Sequence, residues 1–267
     1  MLYNEQDFMV INIEKSWDAA AQSWKDRMDD LYAANDIVWG PFGPSERKLR
    51  LLPQLKGKRV LVAGCGSGPD VCYLADEGAS VFGIDLSSEQ LTLAKQRLTS
   101  RGLRADLEKV DLNQISELQL KPNLFDLVVS NYALQYVKDL KVFFREVTRI
   151  LKPGGSVVFS HDHPILYAHY PAVQGRERNT DGGVFFDYFT ERRLTWLFSV
   201  SEKDIKAYSY HRTLSSIVEA LVQNNLQIEV ILEPKPDHGS VHHYTKKREI
   251  AKRIPYTLII KAKKAKN

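Results

Sequence analysis

Residues 60–68 read Val-Leu-Val-Ala-Gly-Cys-Gly-Ser-Gly, which is the most informative motif of the chain. The apolar run that ends at Ala63 is typical of a buried parallel strand. The three glycines allow a sharp exit from that strand, keep Cβ atoms away from a ligand, and present backbone N–H groups near a helix N-terminus. Pro69 comes next, and proline suits the first turn of a helix. The stretch therefore predicts a strand, a glycine loop and a helix.

Strand and helix patterns continue to alternate along the chain, which predicts βαβ units in a doubly wound, mostly parallel α/β sheet with helices on both faces. The predicted strands are 58–63, 80–85, 104–110, 125–130, 156–160, 226–233 and 256–261. Ser87 and Gln90 have capping-box spacing at the start of one helix. Another helix is predicted from Thr213, with one apolar stripe formed by Leu214, Ile217, Val218, Leu221 and Val222.

Asp85 lies 21 residues after Gly64, at the end of the second predicted strand. An acid there lies beside the glycine loop and can accept both hydrogen bonds from a ribose diol. The dinucleotide fingerprint requires glycine or alanine at the position of Pro69, so the motif argues against NAD. Strand, glycine loop, helix, strand and acid together predict a nucleoside site.

These motifs resemble those of class I S-adenosylmethionine-dependent methyltransferases. The loop at 64–68 has that family's G-x-G-x-G form, and further matching segments are 83–87, 110–112, 125–135 and 151–155. The resemblance covers about residues 45–162, and more loosely 212–262. It implies a seven-stranded Rossmann-like sheet, S-adenosylmethionine as methyl donor and S-adenosylhomocysteine as product.

Carried over position by position, the resemblance implies roles for individual residues. Asp85 would hold the ribose hydroxyls, and Asp111 would accept from the adenine amino group. The cofactor-binding residues that it implies are Ala63, Gly64, Cys65, Gly66, Gly68, Asp85, Leu86, Asp111, Leu112 and Asn131. Ala63 stands where many members have an acid, so an acidic contact to the methionine amino group must come from elsewhere.

Candidate catalytic residues follow the fourth and fifth predicted strands, because carboxyl ends of parallel strands line the ligand crevice. They are Tyr132, His161, His163 and His211, of which His163 is favoured. A hydroxyl acceptor needs a base with a pKa near working pH, and histidine is the usual choice. The alternative is that each histidine only fixes a loop by a backbone hydrogen bond. Their spacing, with Asp162 included, matches no defined ligand pattern, so no metal is predicted.

Residues 164–210 interrupt the alternation and hold 10 of the 27 aromatic residues. The β-prone runs 184–189, 194–200 and 205–211 predict a small antiparallel insertion. The insertion is interpreted either as a lid over a planar or apolar molecule or as a satellite core.

The chain is predicted to form one methyltransferase domain over residues 1–267. Its predicted parts are an N-terminal helical cap (1–44), a cofactor-binding core (45–163), an aromatic substrate lid (164–211) and a C-terminal completion of the sheet with a basic end (212–267). The first ~55 residues as a whole are predicted to be helical.

Composition narrows the class of protein further. Hydrophobic residues at 43% and charged residues at 26% exclude disorder and coiled coil, and two cysteines exclude a disulfide framework. With no apolar run of 18 residues and no leader pattern, we expect a cytoplasmic protein without a membrane partner. Residues 235–267 carry ten Lys/Arg and two Asp/Glu, which predicts a solvated basic tail or a collar for an anionic partner.

The sequence as a whole predicts methyl transfer to an N, O or C atom of a small aromatic or apolar molecule. An RNA methyltransferase is the main alternative, although no RNA-binding module is evident and nucleic acid is disfavoured as a partner. An NAD-dependent oxidoreductase is a more remote one, and a non-enzymatic nucleoside-binding protein also stays open. Self-association into a homodimer is left open.

Overall fold

Strands and helices alternate through the core of the chain as predicted. The computed structural model describes residues 11–32, 35–168, 187–200, 203–236 and 251–266. The strands are β1 (Arg59–Ala63), β2 (Ser80–Asp85), β3 (Asp106–Lys109), β4 (Phe125–Asn131), β5 (Leu151–Asp162), β6 (Arg192–Val200), β7 (Lys203–His211), β8 (Leu226–Leu232) and β9 (Thr257–Lys264). The helices are α1 (Ile13–Tyr32), α2 (Glu46–Leu49), α3 (Pro69–Asp76), α4 (Ser88–Ser100), α5 (Leu140–Ile150), α6 (Pro164–Ala168) and α7 (Leu214–Val222), with 3-10 helices at Leu112–Leu118 and Leu134–Tyr136.

Seven of the described strands form one sheet in the order β3-β2-β1-β4-β5-β9-β8. The first five are parallel, whereas β9 runs antiparallel to both β5 and β8. The prediction of a doubly wound, mostly parallel seven-stranded sheet is confirmed. The strand order reverses between β1 and β4, so a crevice for a ligand opens at their carboxyl ends.

The sheet is buried on both faces, which explains the near-continuous apolar runs in its strands. On one face Leu61 and Phe159 pack with α5 and α7 residues, and on the other Val62 and Val158 pack with α3 residues. Helix α5 is capped by Asp139, whose side chain accepts from two backbone N–H groups of the first turn. This cap fixes where the loop after β4 ends.

Three local predictions need correction. The N-terminal region is helical only in part, because residues 35–45 lie between α1 and α2 in an irregular path. The fifth strand, predicted over 156–160, begins already at Leu151, because residues 152–155 belong to β5, whose register against β4 shifts there. Val222 is 59% exposed and Ala220 takes its place in the core, because α7 ends at Val222.

The aromatic insertion contains an antiparallel pair, as predicted from the runs 194–200 and 205–211. Strands β6 and β7 form this two-stranded sheet. The third run, 184–189, is not a strand in its described part, residues 187–189, and residues 184–186 lie outside the described residues. Asp187 accepts from the N–H of Phe189 and from the hydroxyl of Thr190, and such side-chain bonds favour a turn.

Residues 257–264 of the basic end are not a solvated tail, so that expectation is wrong for this strand, whereas Lys252, Arg253 and Lys266 are exposed. Residues 257–264 form β9, which lies between β5 and β8, and Ala262 is fully buried. Lys261 and Lys263 pair with Glu229 on the neighbouring strand, and Lys264 Nζ donates to the Leu151 carbonyl at 2.8 Å. The basic residues 246–248 lie outside the described residues.

Candidate active site

The glycine loop leaves β1 in a left-handed backbone conformation. The φ angles are +77° at Gly64, +52° at Gly66 and +82° at Gly68, a region that favours glycine. A Cβ on Gly64 would lie 2.3 Å from the Cβ of Ala133, so the loop packs directly against the segment after β4. Ala63 is itself fully buried at the end of β1.

Gly66 faces open space. A Cβ there would meet only Gln90 Oε1, at 3.9 Å. The backbone can therefore approach a ligand closely, as the tail of a nucleoside cofactor requires. Cys65 beside it is buried, and burial raises the pKa of its thiol well above the usual range. This thiol is not an activated nucleophile.

Asp85 lies against the loop, at the carboxyl end of β2. Its Oδ2 accepts from the Gly66 N–H at 2.8 Å and its Oδ1 from the Ser87 N–H at 2.9 Å. Burial raises the pKa of this carboxyl, and the two hydrogen bonds oppose that shift. Leu86, half-buried, follows directly. An acid fixed beside the loop is the arrangement that a ribose diol needs.

The residues predicted beside the adenine follow β3. Asp111 caps the first 3-10 helix, because its Oδ1 accepts from the backbone N–H and the side-chain amide of Asn113, both at 2.8 Å. Leu112 is buried, and its Cδ1 lies 3.7 Å from the Cβ position of Gly64. Leu112 is therefore close to the glycine loop, whereas the described hydrogen bonds of Asp111 cap the 3-10 helix.

Asn131, at the end of β4, binds protein groups on several elements. Its Oδ1 accepts from the Gly40 N–H at 3.1 Å and the Ser160 hydroxyl at 2.6 Å, while Nδ2 donates to the Val38 carbonyl at 2.9 Å. Burial raises the pKa of the nearby Asp70 carboxyl, and the Asn131 side chain opposes that shift. Asn131 thus fastens residues 38–40 over the carboxyl end of β4.

Tyr132 has a left-handed backbone with φ of +59°, which is unusual for a non-glycine residue. Its hydroxyl donates to the carboxylate of Asp162, at the end of β5. Its ring packs against a small apolar cluster that contains Phe42, Leu166 and Tyr256. The side chain therefore connects the loop after β4 to the end of β5.

His163, the favoured candidate base, uses both ring nitrogens within the protein. Nδ1 accepts from the Ile165 N–H at 3.1 Å, so Nε2 carries the proton and donates to Glu233 Oε1 at 2.7 Å. No lone pair is left for a substrate proton. This geometry matches the alternative in which the histidine fixes a loop.

His161 has a different environment. Its Nδ1 lies 2.7 Å from the carbonyl of Asp162 and donates to it, since a carbonyl only accepts. The Nε2 lone pair is buried and has no hydrogen-bond partner among the described residues. Burial, together with the charges of Arg212, His163 and His211, lowers the pKa of this imidazole to about 4. His161 is therefore neutral at pH 7, with Nε2 able to accept a proton.

His211 and Arg212 bring the end of β7 to the same region. His211 Nε2 lies 2.9 Å from the Tyr188 carbonyl and donates to it, and burial lowers the pKa of this ring. The buried Arg212 guanidinium donates to the carbonyls of Val137 and Lys138 after β4. No grouping of three metal-ligating side chains occurs in the described ranges.

Helix α1, which belongs to the predicted N-terminal helical cap, lies across the carboxyl ends of the strands. Asp18 accepts from the Ser87 hydroxyl at 2.6 Å and from the Glu89 N–H at 3.2 Å, at the start of α4. Ser16 donates to the Lys206 carbonyl of β7 at 2.7 Å. The ring of Trp17 packs edge-on against Tyr136, with centroids 5.6 Å apart.

Asp70 is a second buried acid beside the loop that sequence reasoning missed. It is 6% exposed and is the second residue of α3. The sequence offered only a weak signal, because acidic residues are common in the first turn of any helix.

The strand order, the glycine loop and Asp85 together define a Rossmann-like nucleoside-binding protein. The methyltransferase domain family matches residues 61–159. A solved S-adenosylmethionine-dependent methyltransferase from Mesorhizobium loti is 30% identical, with 82% of this chain and 96% of that chain covered and a TM-score of 0.63. A candidate S-adenosylmethionine-dependent methyltransferase from Listeria monocytogenes is also 30% identical, over 82% and 97%, with a TM-score of 0.64.

A ubiquinone biosynthesis O-methyltransferase from Pseudomonas aeruginosa is 30% identical over 60% of this chain and 67% of its own length. The chain belongs to the class I S-adenosylmethionine-dependent methyltransferases, which confirms the resemblance seen in its motifs. It is an enzyme whose methyl donor is S-adenosylmethionine. Among the described helices, none is long and apolar enough to cross a membrane.

Proposed function

We propose that this methyltransferase transfers the methyl group to a hydroxyl of a small aromatic or apolar molecule. The observation that carries the proposal is the neutral, buried His161 with a lone pair on Nε2, at the carboxyl end of the strand beside β4. Hydroxyl acceptors are the class for which such a group matters most, because their proton must leave as the new bond forms.

The bound cofactor supplies an activated methyl group on a sulfonium. The protein must align the acceptor oxygen and exclude water, so proximity provides much of the rate. In this proposal His161 Nε2 accepts the hydrogen bond of the acceptor hydroxyl and orients its oxygen toward the methyl group. The proton passes to Nε2 only as the new bond forms, because the oxygen then becomes positively charged and strongly acidic, so that a weak base with a pKa of about 4 suffices. The bond from Nδ1 to the Asp162 carbonyl holds the ring in the required tautomer.

Aromatic side chains support an apolar acceptor. Trp17 packs edge-on against both Trp24 and Tyr136, and Tyr208 packs against Tyr210 on β7. Strand β7 packs against α1 and against the 3-10 helix that contains Tyr136. We therefore propose that α1 of the predicted cap and β7 of the predicted lid enclose the acceptor, with Tyr132 and Asn131 holding the loop beneath it.

The comparison with the P. aeruginosa protein supports oxygen as the methylated atom, since its name specifies O-methylation in ubiquinone biosynthesis. The cofactor roles of the glycine loop, Asp85, Leu86, Asp111 and Leu112 are part of the same proposal. The RNA alternative loses part of its support, because Lys261, Lys263 and Lys264 of the basic end form ion pairs and hydrogen bonds within the sheet.

The test follows labelled methyl from S-adenosylmethionine into panels of phenols, aliphatic alcohols, amines and bulk RNA, and into a metabolite extract. We expect label in a hydroxyl compound, and a His161→Gln variant with kcat lowered by about 100-fold or more at unchanged S-adenosylhomocysteine affinity. His163→Gln, the matched control, should lose far less kcat. Transfer to amines or RNA alone, or full kcat in His161→Gln, would contradict the proposal.

A further inference from the structure

Gln135 is a buried amide that the proposed reaction does not use. It lies in the 3-10 helix after β4 and is 1% exposed. Its Nε2 donates to the Tyr132 carbonyl at 2.7 Å. Because a carbonyl only accepts, this contact fixes which end of the amide is the nitrogen and which is the oxygen. The remaining atom, Oε1, is buried and has no hydrogen-bond partner in the described part of the chain.

The nitrogen of this amide has a structural task, whereas the oxygen has none. Tyr132 has a left-handed backbone with φ of +59°, and the bond from Gln135 Nε2 holds its carbonyl. That bond explains one half of the side chain only. A buried amide oxygen without a donor is unfavourable, and a bound donor would remove that penalty.

Gln135 lies at the same end of the sheet as His161. Asn131 at the end of β4 pairs with Ser160 on β5, and His161 is the next residue of β5. The Tyr132 N–H donates to Ser160 Oγ at 3.0 Å, so the chain after β4 folds back onto the end of β5. The 3-10 helix of Gln135 packs against both β5 and β7.

Two further contacts place this 3-10 helix between the cofactor loop and the candidate base. Its N-cap residue Ala133 lies against Gly64, because a Cβ there would be 2.3 Å from that of Ala133. The buried Arg212 guanidinium donates to the two carbonyls that directly follow the helix. Burial lowers the pKa of His161, and the charge of Arg212 adds to that shift, so Arg212 is near both.

This end of the sheet therefore holds two buried acceptor atoms, His161 Nε2 and Gln135 Oε1, that lack a donor among the described residues. In the proposed reaction the hydroxyl of the acceptor donates to His161. One hydroxyl has one proton, so it cannot serve Gln135 as well. A second donor must come from elsewhere on the bound molecule once water is excluded.

We propose that Gln135 Oε1 accepts a hydrogen bond from a second O–H or N–H group of the methyl acceptor. Gln135 is thereby a specificity-determining residue that favours a small aromatic molecule with two donors over one with a single hydroxyl. A molecule that lacks the second donor leaves Oε1 unpaired in a closed site, and such sites reject it strongly. The inference rests on the proposed function, because it names the acceptor class of the same site.

The experiment is titration calorimetry on the full chain saturated with S-adenosylhomocysteine. The probes with two donors are catechol, resorcinol and hydroquinone, and those with one donor are phenol and guaiacol. Guaiacol fills the space of catechol but carries a methoxy group in place of the second hydroxyl. No turnover takes place, so the result does not depend on proton transfer to His161.

The proteins compared are the wild type, Gln135→Met and Gln223→Met. Methionine keeps the length of the glutamine side chain and removes both polar atoms of its amide. Gln223 is the matched control, since it is an exposed glutamine directly after α7 whose Nε2 donates to Glu219.

We expect the wild type to bind at least one of the two-donor probes about 10- to 100-fold more tightly than phenol and guaiacol, as for one buried acceptor left unpaired. In Gln135→Met this ratio should fall below about threefold, because the acceptor of the second hydrogen bond is gone. Gln223→Met should keep the ratio of the wild type. The wild-type comparison decides by itself if Gln135→Met does not fold.

Equal binding of all five probes by the wild type, or binding of none, would overturn the inference. A ratio that survives in Gln135→Met would assign the second donor to another group, and equal losses for all probes would leave Gln135 with the turn at Tyr132 alone. Either result also overturns it. The reaction proposed above is tested separately, because full kcat in His161→Gln would contradict it without changing the binding ratio.

Discussion

At the scale of single residues, Asp70 makes a prediction about the ligand-free protein. Its pKa is about 7 in the folded chain, against an ordinary value of 3.8, so the folded form holds the proton more tightly than the unfolded form does. The free energy of unfolding should therefore fall as the pH rises from about 4 to about 7, by about 1.4 kcal/mol per unit of pKa difference at most.

The measurement is the free energy of unfolding from urea titrations at pH 5, 6, 7 and 8. Asp70→Asn should be more stable than the wild type at pH 8, and the gap should shrink toward pH 5. His161 has the opposite effect. Its pKa is about 4 in the folded chain against an ordinary value of 6.5, so the free energy of unfolding falls as the pH falls below about 6.5. The contribution of His161 is the same in the wild type and in Asp70→Asn, so it cancels in the difference between them. A gap that does not change with pH would contradict the prediction.

The histidines show why residue roles were only partly predictable. Strand ends bring His161 and His163 to the crevice, and this much follows from the alternation of strands and helices. The bond between His163 and Glu233 joins residues 70 positions apart, and no local pattern encodes it. The free lone pair of His161 depends on the burial of Nε2, which is a property of the packed structure.

At the scale of elements, the glycine loop offers a matched pair of substitutions. Gly64 and Gly57 both have left-handed backbones, with φ of +77° and +73°, but a Cβ on Gly57 would meet nothing within 4 Å. Gly57→Ala should therefore cost only backbone strain, about 1–2 kcal/mol of unfolding free energy. Gly64→Ala should cost more, because its Cβ would lie 2.3 Å from that of Ala133.

Chemical denaturation and S-adenosylhomocysteine titration would check both variants. Gly64→Ala should also bind the ligand more weakly, since the loop must move away from the segment after β4. Gly57→Ala should keep the affinity of the wild type. Equal destabilisation of the two variants would show that the contact with Ala133 relaxes without cost.

Helices and strands were predicted better than their long-range placement. Ser87 caps the helix as predicted, because its side chain accepts from the Gln90 N–H three residues on, but the reciprocal bond of a capping box does not form, since the Ser87 N–H donates to Asp85 instead. Helix α1 was predicted as a helix, yet its position depends on bonds such as Ser16 to Lys206, which are 190 residues apart. Periodicity identifies an amphipathic helix and does not say which surface covers it.

At the scale of the whole molecule, the sequence allowed two interpretations of the basic end, a solvated tail or a collar for an anionic partner. Residues 235–267, with ten Lys/Arg and two Asp/Glu, carry a net charge of +8 in a chain whose net charge is +4. A lysine-rich end is usually solvated, and composition alone favours a tail. Here the lysines alternate with apolar residues in β9, so that Ala262 is buried while Lys261 and Lys263 reach Glu229.

This arrangement predicts that the end of the chain is required for folding. Removal of residues 261–267 would strip β9 of its pairs with Ser156–Val158 on β5 and with Leu226, Ile228 and Val230 on β8. Two strands would lose partners at once, so we expect loss of the cooperative unfolding transition and of S-adenosylhomocysteine binding. Removal of 265–267 alone leaves β9 complete and should change neither.

Circular dichroism during urea titration, with calorimetry of the ligand, separates the two outcomes. If the chain that lacks residues 261–267 unfolds with the same midpoint as the full chain and binds the ligand equally well, the basic end is a solvated tail.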